Sequence, residues 1–176
     1  MNIFFTDEHP TIAARNLCDD HVVSQFKETI QMLVAAALLR GADPDAMPLT
    51  LSGRPHRGGY KDHPCTRWAS ENPANWNWLC DHGLAIGEQF RMRFDNDTSI
   101  LHDQIRLLAV SRDTILSHFD EEWGMTEPAR ALNQSIGENL DLLGDDLTTV
   151  EAYRLYYQRD KRSFAEWKYT PAPDWF

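Results

Sequence analysis

The chain has 176 residues, 42% hydrophobic and 25% charged, a composition typical of one folded domain and not of a disordered chain. Its formal net charge of −10 counts against nonspecific nucleic-acid binding over the whole surface, because such binding depends on clustered Lys and Arg. The longest apolar run, 32–39, is far shorter than the roughly 20 residues of a membrane span, so no membrane association is expected.

Apolar periodicity and capping residues predict an all-α fold. The first residues, 1–6, are a short apolar lead-in, and helices are expected over 11–17, 20–40, 64–72, 73–94, 100–119 and 148–168. Residues 42–62 are rich in Pro and Gly and predict a long loop, and 124–144 predict mostly loop with a short turn of helix. We therefore expect one compact single-domain bundle of about five helices with long loops over residues 1–176.

The predicted helix over 20–40 has two distinct rows. One is an apolar stripe for the core, formed by Val22, Val23, Phe26, Ile30, Leu33 and Ala37. The second row contains His21, Gln25, Glu28 and Met32, and a spacing of seven places His21 and Glu28 on the same side. Asp20 is suited to cap the helix or to orient the imidazole, and Glu28 is a candidate acid, base or charge stabiliser. The alternative is a rim histidine and a solvated glutamate.

A second informative stretch covers residues 58–68. Its two glycines allow the backbone to approach a ligand closely, and the start of the following helix offers free N–H groups to a phosphate. Tyr60, Lys61, His63 and Arg67 would surround that position with charge and an aromatic ring. A polar loop with a capped helix explains the same residues without a ligand.

The third stretch, 153–169, interleaves aromatic and basic residues, a pattern suited to stacking on bases and neutralising phosphates. About half of its aromatic residues must still belong to the core, so its basic residues are the better candidates for DNA contacts: Arg159, Arg162 and Lys168.

Other site chemistries lack their signatures. His21, Glu28 and His63 could ligate a metal, but HExxH, EF-hand and Cys/His spacings are missing, as is GxSxG. No metal or other cofactor is expected. The three cysteines have no CxxC spacing and no secretory signal precedes them, which indicates reduced thiols and a cytoplasmic location, in a host cell if a phage encodes the protein.

In their order and spacing these stretches resemble the pyrimidine-dimer DNA glycosylase family of phages and bacteria. The resemblance rests on Ile3-Phe4, on Asp20-His21 with Glu28 seven residues later, on 59–68, and on 167–169. Within the family the chain is similar to a phage subgroup that begins Met-Asn-Ile-Phe and ends Pro-x-Trp-Phe. The resemblance covers 1–94 and 150–169 and leaves 98–147 as an additional helix and loop.

The resemblance implies a compact all-α enzyme that cuts the glycosidic bond of a damaged pyrimidine in duplex DNA and then nicks the strand. Glu28 matches the catalytic glutamate, His21 the active-site histidine, Lys27 a family arginine and His63 the histidine of the second helix. In this chemistry an amine attacks C1′ of the sugar to form a Schiff base, and a carboxylate stabilises the cationic sugar. The residues expected to contact the substrate are Asp20, Gln25, Lys27, Tyr60, His63, Arg67, Arg159, Arg162 and Lys168.

The nucleophile is open at this point. In phage members of the family it is the α-amine exposed when Met1 is removed, but Asn2 is generally too large for that removal. The candidates are therefore the amine of Met1 itself, Lys61 or Lys27, and an enzyme without a lyase step is a further alternative. Two other functions compete: a transferase that modifies an activated thymine in DNA, and a non-enzymatic binding protein of the same fold. The sequence leaves the oligomeric state open.

Overall fold

The computed structural model describes residues 1–96, 98–133 and 139–176 of the chain. Within these residues the regular secondary structure is helical and no strand is present, which confirms the predicted all-α fold. Seven α-helices follow one another: α1 (Pro10–Asn16), α2 (Asp19–Leu39), α3 (Pro64–Glu71), α4 (Pro73–Phe94), α5 (Ile100–Val110), α6 (Arg112–Leu116) and α7 (Thr149–Tyr156). They share one hydrophobic core, centred on α2 and α4, so the prediction of a single domain is also confirmed.

The long loops occur where they were predicted. The loop over 42–62 contains one 3-10 turn, Pro44–Ala46, and the loop over 124–144 contains another, Leu140–Leu143. The part of the second loop at 134–138 lies outside the described residues.

Two predicted helices are wrong in their extent. The segment over 100–119 divides at Ser111 into α5 and α6. The segment over 148–168 ends as an α-helix at Tyr156 and continues only through a π-helical turn, Tyr157–Lys161. Periodicity did not indicate either break.

The N–H groups of Phe164 and Ala165 still bond to the carbonyl of Lys161 at the end of the π-turn, but from Glu166 the backbone is bonded to the start of α2. The carbonyl of Glu166 accepts a hydrogen bond from the backbone N–H of Asp19 at 2.9 Å. The N–H of Lys168 donates to the Asp19 carboxylate at 2.8 Å. These two bonds explain why residues 162–168 leave the helical path.

The central helix α2 buries five of the six predicted core residues: Val22, Phe26, Ile30, Leu33 and Ala37. The prediction is wrong for Val23, which is 47% exposed and lines a surface groove. Adjacent residues lie about 100° apart around a helix, and near the start of α2 the buried face includes Val22 while Val23 points to the surface.

By length and composition alone, α2 is long and apolar enough to cross a membrane, with a mean hydropathy of 1.3 over its best 18 residues. This criterion counts the whole helix, whereas the sequence-based exclusion considered only its longest uninterrupted apolar run. However, 61% of that window is buried inside the protein, as in the core helix of a globular domain.

The amino-terminal lead-in is part of the core. Ile3, Phe4 and Phe5 are only 1%, 5% and 2% exposed. The side-chain amide of Asn2 donates to the carbonyl of Ala131 at 2.8 Å, and its oxygen accepts from the N–H groups of Ile3 and Phe4. The first residues are therefore held by the burial of 3–5 and by the bond from Asn2 to Ala131, which fixes the position of Met1.

The loop over 42–62 is tied to α2 through two glycines. Gly58 has φ +72°, and a Cβ there would lie 2.6 Å from the backbone nitrogen of Ala35. The N–H of Gly59 donates to the carbonyl of Gln31 at 3.3 Å. This close approach sets Tyr60 beside α2.

We expect Gly58→Ala to lower the free energy of unfolding more than Gly53→Ala does. Both glycines have φ +72°, so both substitutions carry the left-handed penalty of about 1–2 kcal/mol, but a Cβ at Gly53 meets nothing within 4 Å. The clash with α2 should add about 1–3 kcal/mol for Gly58→Ala alone. Urea unfolding of the two variants measures the difference, and equal losses would show that the loop does not rest on α2.

Candidate active site

A cavity of about 340 Å³ opens between the amino terminus, α2 and the π-turn. Three members of the predicted row on α2 line it, His21, Gln25 and Glu28, together with Ser24 of the same helix. Its remaining lining comes from distant parts of the chain: Met1, Asn2, Phe4, Ala131, Leu132, Asn133, Tyr156 and Lys161. Three parts of the chain remote in sequence therefore converge on the histidine and glutamate predicted from helix periodicity.

The α-amine of Met1 lies at the carboxylate of Glu28. Its nitrogen is 3.7 Å from Glu28 Oε2, which also accepts a hydrogen bond from Gln25 Nε2 at 2.7 Å. Because a carboxylate can hold a nearby ammonium group and later accept its proton, this pair has the components of an activated amine nucleophile.

His21 is a partly buried, neutral imidazole. Its Nδ1 is 2.5 Å from the hydroxyl of Tyr157, and its ring stacks on Phe4 with the centroids 4.4 Å apart. Burial, and then the positive charge of Lys161, lower the pKa of His21 from 6.5 to about 4. At neutral pH the site therefore contains an uncharged histidine beside a carboxylate and an amine.

The structure corrects the predicted role of Asp20. This residue is exposed, the cap position of α2 is Cys18, and Asp20 makes no hydrogen bond to His21. The preceding residue, Asp19, has the structural contacts: it is buried, pairs with Arg93 at 3.1 Å and accepts the N–H of residue 168. Asp19 therefore joins α2 to α4 and to the carboxyl-terminal segment.

The second predicted cluster lies next to the cavity but not inside it. Tyr60 is 67% exposed, has φ +53° and separates two further grooves. One groove, of about 360 Å³, shares Met1 and Glu28 with the cavity and includes Lys27. The other, of about 280 Å³, includes Lys61 but neither Met1 nor Glu28.

The two other members of that cluster have structural partners. His63 caps α3 by accepting the N–H of Cys65 at 3.2 Å. Its pKa is lowered by burial and by the charge of the amino terminus, and raised in part by Glu28, so His63 also lies near the amine. Arg67 is exposed and pairs with Asp62.

The third predicted cluster lies on the surface. Arg159 pairs with Asp141 and Lys168 with Glu166, while Arg162 donates to the carbonyl of Phe176 at 3.1 Å. None of these three lines the cavity. The basic residue of this stretch that does line it is Lys161, whose Nζ lies 4.7 Å from the centre of the Tyr156 ring.

Three lysines follow the connected grooves: Lys61, Lys27 and Lys161. Within the described part of the chain none of them has a carboxylate oxygen within 4 Å, in contrast to Arg67, Arg159 and Lys168. These lysines are therefore the cations best placed to meet phosphates along this face.

No group of three or more His, Cys, Asp or Glu side chains among the described residues is arranged to hold a metal ion. The three cysteines are buried, and burial raises the pKa of Cys65 to about 12 and of Cys80 to about 11. Neither of these two thiols is suited to act as a nucleophile.

The family model described as pyrimidine dimer DNA glycosylase matches residues 1–101, which is more than half of the chain. The chain belongs to the pyrimidine dimer DNA glycosylase family. At the level of the family this means DNA glycosylase activity on pyrimidine dimers, with DNA as the substrate. The match includes the amino terminus, α2 and the loop to Arg67, but the resemblance predicted for 150–169 lies outside it. No curated protein and no solved structure matches the chain.

Sequence reasoning on this glycosylase-family chain missed Lys161 and Tyr157 as members of the site. Both belong to the aromatic and basic stretch, but periodicity within one helix does not indicate that this segment packs against His21. A π-turn after an α-helix is the structural signal, and π-turns are frequent at functional sites.

We expect Lys161→Gln to raise the pKa of His21, because the substitution removes the second of the two causes that lower it. The pKa should stay below 6.5, since burial is the larger cause. NMR titration of the His21 ring measures it. Lys27→Gln is the matched control: it should raise the pKa of His56, on which Lys27 acts, and leave His21 unchanged. An unchanged His21 pKa in Lys161→Gln would mean that Lys161 does not face the histidine.

Proposed function

We propose that this chain is a DNA glycosylase that acts on a damaged pyrimidine in duplex DNA. The α-amine of Met1 is the nucleophile, and the carboxylate of Glu28 accepts its proton. The main support is the 3.7 Å distance between Met1 N and Glu28 Oε2 in a cavity that also contains His21. Family membership supports the class of substrate.

The reaction begins when the neutral amine of Met1 attacks C1′ of the deoxyribose. The glycosidic bond breaks, its electron pair leaves with the base, and the base takes up a proton. Glu28 accepts a proton from the attacking nitrogen and stabilises positive charge on the sugar, as a carboxylate does for an oxocarbenium-like transition state. The C1′–O4′ bond then opens, O4′ keeps the bonding electron pair and takes the proton that Glu28 received, and the products are the protonated imine, the Schiff base, and a carboxylate at Glu28.

The lyase step follows from the chemistry of that imine. The positive nitrogen acidifies the C2′ protons, a base removes one of them, and the C3′–O3′ bond breaks with the phosphate as leaving group. Glu28 is the carboxylate closest to the amine within the described residues and is the candidate base. An α-amine is less basic than a lysine amine, so a larger share of it is neutral near neutral pH. This property favours Met1 over Lys27 and Lys61.

The DNA strand is proposed to follow the connected grooves along α2. Lys61, Lys27 and Lys161 would meet successive phosphates, and the exposed ring of Tyr60 lies between the first two grooves, where it could stack on a base. Bringing C1′ to the amine requires the duplex to bend or a nucleotide to leave the stack, at a cost of a few kcal/mol.

We expect Glu28→Gln to retain the fold and to reduce base release by at least about 100-fold, because the amine loses its proton acceptor and the sugar cation loses its counter-charge. The assay scores base release as abasic sites, because a dimerised base stays joined to its neighbour after its glycosidic bond is cut, and it compares these sites and strand nicking on ultraviolet-irradiated and untreated duplex. Glu88→Gln, an exposed glutamate that pairs with Arg91 on α4, is the control and should behave as wild type. Normal turnover in Glu28→Gln would remove Glu28 from the mechanism.

We also expect Lys27→Gln and Lys61→Gln each to reduce the dependence of DNA affinity on salt by about 0.9 in the logarithmic slope, the value for one lost phosphate contact. Arg67→Ala should change the slope less, because Arg67 already pairs with Asp62. Affinities measured between low and moderate salt give the slopes. A larger change for Arg67→Ala than for the two lysines would place the phosphates on the other side of the loop.

The same experiments separate the competing functions. Damage-dependent base release supports the glycosylase. Binding to DNA without base release would favour a transferase that modifies an activated thymine, and modified DNA would be its substrate. Neither binding nor release would favour a non-enzymatic binding protein.

A further inference from the structure

Tyr157 is a fully buried residue in direct contact with the proposed catalytic histidine. It is 0% exposed, and it begins the π-turn that follows α7. Its hydroxyl oxygen accepts a hydrogen bond from the backbone N–H of Cys18 at 3.0 Å and lies 2.5 Å from His21 Nδ1. The hydroxyl is thus shared between the start of α2 and the imidazole.

The number of available hydrogens decides which group donates in the bond between the Tyr157 hydroxyl and His21 Nδ1. A tyrosine hydroxyl has one hydrogen to donate, and the amide of Cys18 can only donate, so the hydroxyl hydrogen is left for His21 Nδ1. If His21 Nδ1–H donated to the hydroxyl oxygen instead, the hydroxyl hydrogen would have to point to the sulfur of Cys18, the other group close to it. Sulfur is a weak acceptor. Because the buried hydroxyl is best satisfied by donating to Nδ1, the proton of the neutral imidazole lies on Nε2.

The ring is also held from its faces and edges. Phe4 stacks on it with an angle of 20° between the planes, and the Tyr157 ring meets its edge at 84°. His21 lines the cavity together with Met1 and Glu28, and its Nε2 makes no hydrogen bond to any residue that the structure describes. The Nε2–H group is therefore free for a bound substrate.

We propose that Tyr157 is a positioning residue that fixes His21 as the Nε2–H tautomer, so that His21 acts as a neutral hydrogen-bond donor to an oxygen of the substrate and not as a proton acceptor. The role towards a substrate rests on the proposed function, whereas the tautomer does not depend on it. The oxygen that fits this donor is one that gains negative charge during the reaction, such as O4′ of the sugar when the C1′–O4′ bond opens.

This tautomer gives His21 and Glu28 different roles in the reaction. Nε2 already has a proton and Nδ1 accepts from Tyr157, so neither nitrogen is free to take a proton from the amine. Glu28 is then the proton acceptor for Met1, which agrees with its position 3.7 Å from the amine. The low pKa of His21 agrees as well, because a charged imidazole could not accept the hydrogen bond from Tyr157.

The test is the tautomer of His21 in the full chain, measured by long-range ¹H–¹⁵N NMR at neutral pH and assigned by the signals lost in His21→Gln. We expect wild type to show a single Nε2–H tautomer with an unprotonated Nδ1. In Tyr157→Phe the ring nitrogens should shift towards the average of two tautomers, and turnover on damaged DNA should fall about tenfold while DNA affinity stays within about twofold.

Tyr153→Phe is the matched control for the tautomer. Tyr153 is equally buried, lies one turn earlier on α7 and also contacts Phe4, but its hydroxyl donates to Ala129 and not to His21. The ring nitrogens of His21 should not change in this variant.

Two results would overturn the proposal. The first is an Nδ1–H tautomer in the wild-type protein, which decides the matter even if Tyr157→Phe does not fold. The second is an unchanged single tautomer in a folded Tyr157→Phe variant. If the tautomer behaves as expected and the wild-type protein releases no base, the proposed glycosylase function fails while the assignment of Tyr157 stands.

Discussion

The proposed chemistry depends on burial of the three residues that follow the amino terminus. Ile3, Phe4 and Phe5 are almost completely removed from water, and burial of side chains of this size contributes roughly 1.5–3 kcal/mol each. Only Met1 and Asn2 lie between the amine and this buried segment, and Asn2 is bonded to the carbonyl of Ala131, so the amine has little freedom to leave Glu28. The first residues of a domain are usually poorly ordered unless they are tied down, and here residues 3–5 belong to the core.

The same burial connects the amine to the histidine. Phe4 packs on His21 with one face and meets the rings of Tyr153 and Tyr157 with its edges, so the amino terminus, α2 and the π-turn share one aromatic cluster. The cluster excludes water from one side of His21, which is the main cause of its low pKa. Position of the nucleophile and protonation of the histidine therefore have a common structural origin.

The negative charge of the chain is compatible with a DNA-binding face. Arg67, Arg159 and Lys168 are each paired with a local carboxylate, so they add little to the electrostatic potential. The lysines along the grooves have no such partner among the described residues. A net charge of −10 thus gives little information about one face, because salt screens the interaction between exposed charges beyond about 10 Å. The potential at a surface is therefore set by the charges nearest to it.

Sequence periodicity predicted the parts of the site that lie on one helix. His21, Gln25 and Glu28 line one cavity because their spacing follows the turns of α2, and the breaks at Pro64 and Pro73 are local signals as well. Periodicity could not predict Asp19 in place of Asp20, because the partner of Asp19, Arg93, is brought there by packing of α4. Nor could it predict Tyr157 and Lys161, whose positions depend on the π-turn and on bonds between 166–168 and α2.

The most direct test of the account is the identity of the residue in a borohydride-trapped adduct with ultraviolet-irradiated duplex DNA. Peptide mapping by mass spectrometry is predicted to find the sugar on the α-nitrogen of Met1. A variant extended by two glycines before Met1 is predicted to bind the same DNA without forming the adduct, because the amine is displaced from Glu28. An adduct on Lys27 or Lys61, or undiminished trapping by the extended chain, would contradict the account.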